Sequence, residues 1–156
     1  MTVPESIKAA FATVPYPGDD NITRCTHEDC LECADIATHF RGANWRDCTL
    51  EQLWKYHSAI CMFTPEALHY FLPAYMLQSL GHWYDFDEIA FSIACQLLPA
   101  KADASTDEQE YRTKRWAIFN RQQREVIAEY LREFSLSDSP LIGTEVEQAI
   151  SRLMNP

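Results

Sequence analysis

Leu68, Phe71, Leu72, Tyr75, Met76, Ser79 and Leu80 fall at i, i+3, i+4, i+7, i+8, i+11 and i+12. That spacing follows the helical period, so it predicts one long helix with a broad apolar face. Thr64-Pro65-Glu66 opens it with an N-cap, a proline at the first helical position and an acid at the positive helix end. Gly81 closes it. Pro73 interrupts the stripe: it removes one backbone donor and pushes the His69 carbonyl aside, which predicts a kink or a break near Leu72. An apolar face this long must pack against other elements. No segment of the chain shows the sustained alternation of a half-buried strand, so strands are expected to be absent or minor and the fold all-α.

The other helices follow from caps and stripes. Pro4 to Val14 reads as a first helix, stopped by Pro15-Tyr16-Pro17-Gly18. A short helix is expected from Cys30 to Arg41, ended by Gly42. Thr49 with Gln52 forms a capping-box pattern, and Leu50, Leu53, Trp54, His57 and Cys61 share the face behind it. Phe86 to Leu98 is apolar nearly all round, as a central buried helix is, and Pro99 ends it. Ala100 to Glu110 reads as an exposed acidic loop, and Tyr111 to Phe119 fits either a short helix or an extended segment. Asn120 with Gln123 caps a helix carrying Val126, Ile127, Tyr130, Leu131 and Phe134. Thr144 with Glu147 is a further capping box, opening a last helix to Met154.

These elements make one compact domain, 1–156, of about six to seven helices. Residues 4–48 hold the N-terminal helix and an irregular Cys/His loop, 49–99 the central helices and 111–156 the C-terminal helices. A chain of 156 residues buries about 68–70% of its unfolded surface, so its core needs no covalent staple.

The irregular loop carries the most specific chemistry. Cys25-Thr26-His27-Glu28-Asp29-Cys30-Leu31-Glu32-Cys33 places three cysteines and a histidine at C-x-H-x2-C-x2-C spacing. Thiolate and imidazole are the ligands Zn2+ prefers, and a structural site takes four. Cys30 and Cys33, three apart at a helix start, form half of such a site. Cys25 and His27 complete it locally, or Cys48, His57 or Cys61 complete it through the fold. The competing reading is a set of ordinary free thiols, because no second C-x2-C pair exists. A thioredoxin-like redox role would need the pair to follow a strand in a βαβ unit, which is missing here.

The formal charge is −10. Residues 112–124 contribute +5 through Arg112, Lys114, Arg115, Arg121 and Arg124 with no acid, so the remainder sums to −15. Such a field repels phosphate backbones, which disfavours nucleic acid as a partner, and favours a protein with a basic surface. Trp83, Tyr84 and Asp85 in a connection between helices, with Asp107, Glu108 and Glu110, are the candidate partner-binding residues. No apolar run approaches the roughly 18–20 residues needed to span a bilayer. No basic start followed by an apolar run marks an export signal, so the expected compartment is the cytoplasm, where cysteines stay reduced or bind metal.

One resemblance covers roughly residues 5 to 134. Its pieces are Pro15-Tyr16-Pro17-Gly18-Asp19, then His27-Glu28-Asp29-Cys30-Leu31-Glu32-Cys33, then Trp45. After these come Phe63-Thr64-Pro65-Glu66-Ala67, Tyr70-Phe71-Leu72-Pro73-Ala74, and the Gln123-Arg124 helix with Tyr130-Leu131. In this order they resemble an uncharacterised bacterial domain family of unknown function. Cys25, Cys48, the acidic loop and the C-terminal helix lie outside that pattern, and the resemblance implies no activity.

No paired carboxylates at catalytic spacing, no phosphate-binding glycine loop and no serine-centred motif occur, so no catalysis is expected. The leading expectation is a small acidic protein-binding domain, of the immunity or inhibitor type, that occludes a basic partner. The alternative is a metal-dependent or thiol enzyme using the Cys25–Cys33 cluster.

Overall fold

A computed structural model describes all residues from Met1 to Pro156. It is all-helical. The elements are α1 Val3–Ala10, α2 Leu31–Phe40, a 3-10 turn Trp45–Asp47, α3 Leu50–Lys55, α4 Ala59–Met62, α5 Pro65–Ser79, α6 Trp83–Gln96, α7 Thr106–Ala117, α8 Arg121–Ser135 and α9 Thr144–Met154. The only extended pairing is an isolated antiparallel bridge between Thr23 and Phe63.

α5 is the hub of the bundle, packed against α1, α3, α6, α7 and the 3-10 turn. Ten of its 15 residues are buried. Its apolar surface is therefore wider than one stripe, which is what a helix enclosed by neighbours requires. The Thr64 hydroxyl accepts the Ala67 amide at 3.0 Å, as its N-cap position predicts. Pro73 lies inside α5, yet the helix continues through it to Ser79. Packing on both flanks holds the turn that the missing amide would otherwise release. Phe71 is fully buried among Phe40, Phe63 and Tyr70, with ring centroids 4.8, 5.4 and 4.9 Å away. On the far side, Ser79 and Tyr130 join α5 to α8 through a buried hydroxyl pair at 2.7 Å.

The helices outnumber the expected six to seven, for local reasons. The single helix expected behind Thr49 is split into α3 and α4, because Tyr56 leaves helical geometry at φ −110, ψ 35. Its carbonyl instead accepts the buried Tyr75 hydroxyl at 2.7 Å. α7 starts at Thr106, inside the stretch read as loop, because Ser105 caps it by accepting the Glu108 amide at 3.1 Å. Asp107 and Glu108 sit in its first turn, where acids complement the helix dipole. α6 begins at Trp83 rather than Phe86 and is kinked at Phe86, with φ −131 and ψ 26. Trp83 is held against Tyr130 and Phe134 at 5.4 and 5.3 Å, which draws the first turn onto α8. α9 is preceded by Gly143, not capped by Thr144, and the Thr2–Glu5 capping box at α1 supplements the expected Pro4 start. The Asn120–Gln123 capping box forms as its spacing predicts.

Candidate functional site

The Cys/His loop is fixed at both ends by the core. At its start, Ile22 is buried and the Thr23–Phe63 bridge ties the chain to the α4–α5 junction. The Arg24 amide donates to the Met62 carbonyl at 2.9 Å, and the Thr64 amide donates to the Ile22 carbonyl at 3.0 Å. The Thr23 hydroxyl then donates to the Cys25 carbonyl at 3.1 Å, turning the chain outward. At its end, α2 is seated through buried Cys33, Ile36 and Phe40. Between these anchors, the Cys30 amide donates to the His27 carbonyl at 3.0 Å and closes a tight turn.

This path brings three thiols together. The Sγ atoms of Cys25, Cys30 and Cys33 all lie within 4.8 Å of one another. Cys30 occupies the N-cap position of α2 and Cys33 the third helical position, so the C-x2-C spacing folds both sulfurs to one side of the first turn. The Cys33 thiol, and next the Cys33 backbone N–H, hold Cys30 below the ordinary thiol value. Burial first, then the neighbouring sulfurs, pushes Cys33 up to about 12. The two shifts describe one shared site: three sulfurs at this distance repel as thiolates, and a bound cation removes that repulsion. Tetrahedral zinc with Zn–S near 2.3 Å sets S···S at about 3.8 Å, so less than about 1 Å of closure separates this arrangement from a ligand set.

His27 stands apart from the sulfur group. Its ring is 72% exposed, and its Nδ1 accepts the Asp29 amide at 3.2 Å. That bond leaves Nε2 free of protein partners, on the tip of the same loop. A cleft of about 280 Å3 opens beside the cluster, lined by Cys25, His27 and Cys33 together with Asp19, Asp20 and Arg41. The more distant candidates have other partners. The Cys48 thiol donates to the Asn44 carbonyl at 3.6 Å, and Cys61 accepts from the Gln96 amide at 3.3 Å. His57 stacks on Trp54 at 4.6 Å, with Nδ1 2.7 Å from the Trp54 carbonyl.

The candidate partner-binding residues fall in two places. Trp83 is half-buried against α8, whereas Tyr84 is 97% exposed and Asp85 is exposed beside it. Leu136, at the C-terminal end of α8, is 83% exposed. Because Trp83 lodges against Phe134, both exposed side chains belong to one end of the bundle. Asp107 and Glu108 lie elsewhere, on the first turn of α7, and both bind Arg24, at 2.8 and 2.7 Å. Glu110 is exposed on the same helix.

One buried group carried no signal in the pattern of the chain. Arg115 is fully buried and donates to the carbonyls of Ile60 and Phe63 and to the Gln96 side chain. It satisfies the broken α4–α5 junction from inside, immediately behind the bridge that positions Cys25. The sequence shows it only as one of five cations between residues 112 and 124; the Ile60 and Phe63 carbonyls and the Gln96 side chain that satisfy it account for its burial.

No helix is long and apolar enough to cross a membrane. Compared with curated proteins and with solved structures, the chain finds no significant match. The model of a family of unknown function, DUF6714, matches residues 2–151, and the chain belongs to that family.

Proposed function

We propose that this chain is a small acidic helical domain that binds a basic protein surface and whose N-terminal loop is clipped by a zinc ion. The observation that carries the metal part is the convergence of the Cys25, Cys30 and Cys33 sulfurs within 4.8 Å. Three soft ligands on two separately anchored segments suit Zn2+ or a similar thiophilic cation. His27 supplies the fourth ligand by swinging its loop tip inward. The site is then closed by protein atoms and structural, because a closed shell leaves no position for substrate.

Cobalt substitution tests this directly. Co2+ added to metal-free protein should give the intense sulfur-to-metal bands and visible absorption of a tetrahedral thiolate site. His27→Ala should shift the visible bands, and Cys30→Ser should abolish them. Bands indifferent to His27 would mean an exogenous fourth ligand and an open site. Absence of any thiolate band would remove the metal reading.

The partner part rests on Tyr84. A tyrosine that is 97% exposed on a kinked first turn is a rigid, amphipathic contact residue of the kind that anchors protein interfaces. Exposed Asp85 is its neighbour in the chain, and Glu133 and Asp138 are exposed on α8 and the loop after it, so the acidic character of the chain extends to this end and steers a basic partner. Tyr84→Ala should weaken capture of the physiological partner at least tenfold without changing the melting temperature. An unaltered affinity would move the interface elsewhere.

A further inference from the structure

The α6–α7 connection, α7 and α9 line another cleft, of about 280 Å3, whose charged lining is entirely cationic: Lys101, Arg112 and Arg152, with Gln109 and Thr113. In a chain with a net charge of −10 a cleft with three cations and no carboxylate in its lining runs against the overall field; the groove holding Lys8 and Arg46 has the same character with two cations. Asp103 and Glu108 line the adjoining cleft on the other side of Lys101 and Arg112, not this one.

Two of the three cations are held in place by backbone. Arg112 Nη1 donates to the Cys95 carbonyl at 2.8 Å, and Arg152 Nη1 donates to the Leu97 carbonyl at 2.7 Å. Both carbonyls lie at the C-terminal end of α6, where helix geometry leaves acceptors free. Arg152 also lies over the Trp116 ring at 4.1 Å, and Arg124 over the same ring at 4.5 Å. Arg112 shares Glu108 with Arg24, at 3.1 and 2.7 Å. Lys101, Arg124 and Arg152 form no ion pair at all. The two guanidinium groups are thus oriented in advance with donors remaining, and Arg112 has Glu108 as its anion while Lys101 and Arg152 have none within the chain.

We propose that this cleft is an anion site that takes the phosphate group of a small phosphorylated molecule, with Arg152 and Arg112 as the oriented donors and Lys101 as the mobile charge at the rim. A phosphate dianion matches the Arg152 fork bidentately, takes a further donor from Arg112, whose Nε and Nη1 are already engaged, and supplies the anion that Lys101 and Arg152 lack. The cleft is too small for a polynucleotide track, and the acidic remainder of the surface repels one. The cleft shares no lining residue with the thiol cluster or the Tyr84 face, and Glu108, which pairs with both Arg112 and Arg24, links it to the thiol loop.

Titration of the 15N-labelled full chain with inorganic phosphate, and in parallel with glycerol phosphate, tests the proposal at constant ionic strength set by sodium chloride. Saturable shifts are expected at the amides of Ala100, Ala102, Gln109 and Thr113, with a dissociation constant of about millimolar order or tighter. Tighter binding of glycerol phosphate would assign the site to a phosphorylated organic molecule, whereas equal binding would assign it to the phosphate group alone. Lys101→Glu, on an exposed side chain that holds no structural bond, should weaken binding at least fivefold. Arg152→Gln should abolish it, with folding checked by the unperturbed methyl spectrum of α5. Lys8→Glu, on α1 and remote from the cleft, should change nothing. Absence of saturable shifts at these amides, or equal weakening by Lys8→Glu and Lys101→Glu, would overturn the assignment.

Discussion

Arg24 donates through Nη1 to Glu108 at 2.7 Å and, through its other amino group, to Asp107 at 2.8 Å. Its guanidinium also lies 3.7 Å over the Tyr111 ring. Residues 83 and 84 positions apart in sequence are thereby joined, and the residue next to Cys25 is fixed to α7. Arg24→Ala should cost only about 1 kcal/mol, because the pairs are partly exposed. Its larger effect is local: amides from Cys25 to Cys30 should exchange several times faster. The same contact sets an acid limit. Arg24 holds the Glu108 carboxyl below its ordinary value of 4.5, so the docking contribution is complete above that pH and is lost as pH falls through the lower folded value. Exchange rates in the loop that ignore Arg24→Ala would show that the bridge at Thr23 alone holds it.

Phe71 is the centre of the aromatic cluster on α5, with no accessible surface. Phe71→Ala removes a ring packed on three others and leaves a cavity, at a cost of about 3–5 kcal/mol. Chemical denaturation reads the loss directly, and an unchanged midpoint would mean that α5 is not the hub.

His69 reports on the α1–α5–α8 junction. It is half-buried, its Nε2 lies 2.9 Å from the Gln123 side-chain oxygen, and Phe11 and Phe119 meet its ring edge-on. Burial is the dominant influence and lowers its pKa from the ordinary 6.5, against the opposing Gln123 bond and the charge of Glu66. The folded state therefore binds its proton later than the unfolded chain does. Stability is complete above about 6.5 and falls as pH drops through that value towards the lower folded one. Between about pH 7 and pH 5 the melting temperature should fall, and His69→Gln should flatten part of that fall. His39, stacked on Tyr56 at 4.1 Å and lowered by burial in the same way, supplies a further part. A variant as pH-sensitive as the parent would place the titration elsewhere.

Periodicity and capping chemistry made α5 and α8 legible, because their stripes are long and Thr64, Asn120 and Gln123 act within one turn. The breaks were not legible. Tyr56 ends α3 because a hydroxyl 19 residues away claims its carbonyl, a tertiary bond that no local window contains. Asp107 and Glu108 looked like loop acids because charge without a stripe resembles a solvated segment. Ser105, the cap that makes them a helix start, has no apolar stripe behind it in the sequence. In the candidate site, the C-x2-C spacing at a helix start foresaw the pairing of Cys30 with Cys33. Cys25 joins them through the Thr23–Phe63 bridge, a long-range contact between segments with no strand signal. Arg115 was hidden for the same reason: the carbonyls that bury it exist only because α4 is one turn long.

The metal content of protein purified without chelator decides whether the three sulfurs hold zinc. About one zinc per chain is expected, lost in Cys30→Ser while α5 to α9 remain folded. Cys25, Cys30 and Cys33 should also resist thiol reagent until the metal is removed. Less than about a tenth of an equivalent of zinc, with these three thiols reacting freely in the native protein, would contradict the zinc site.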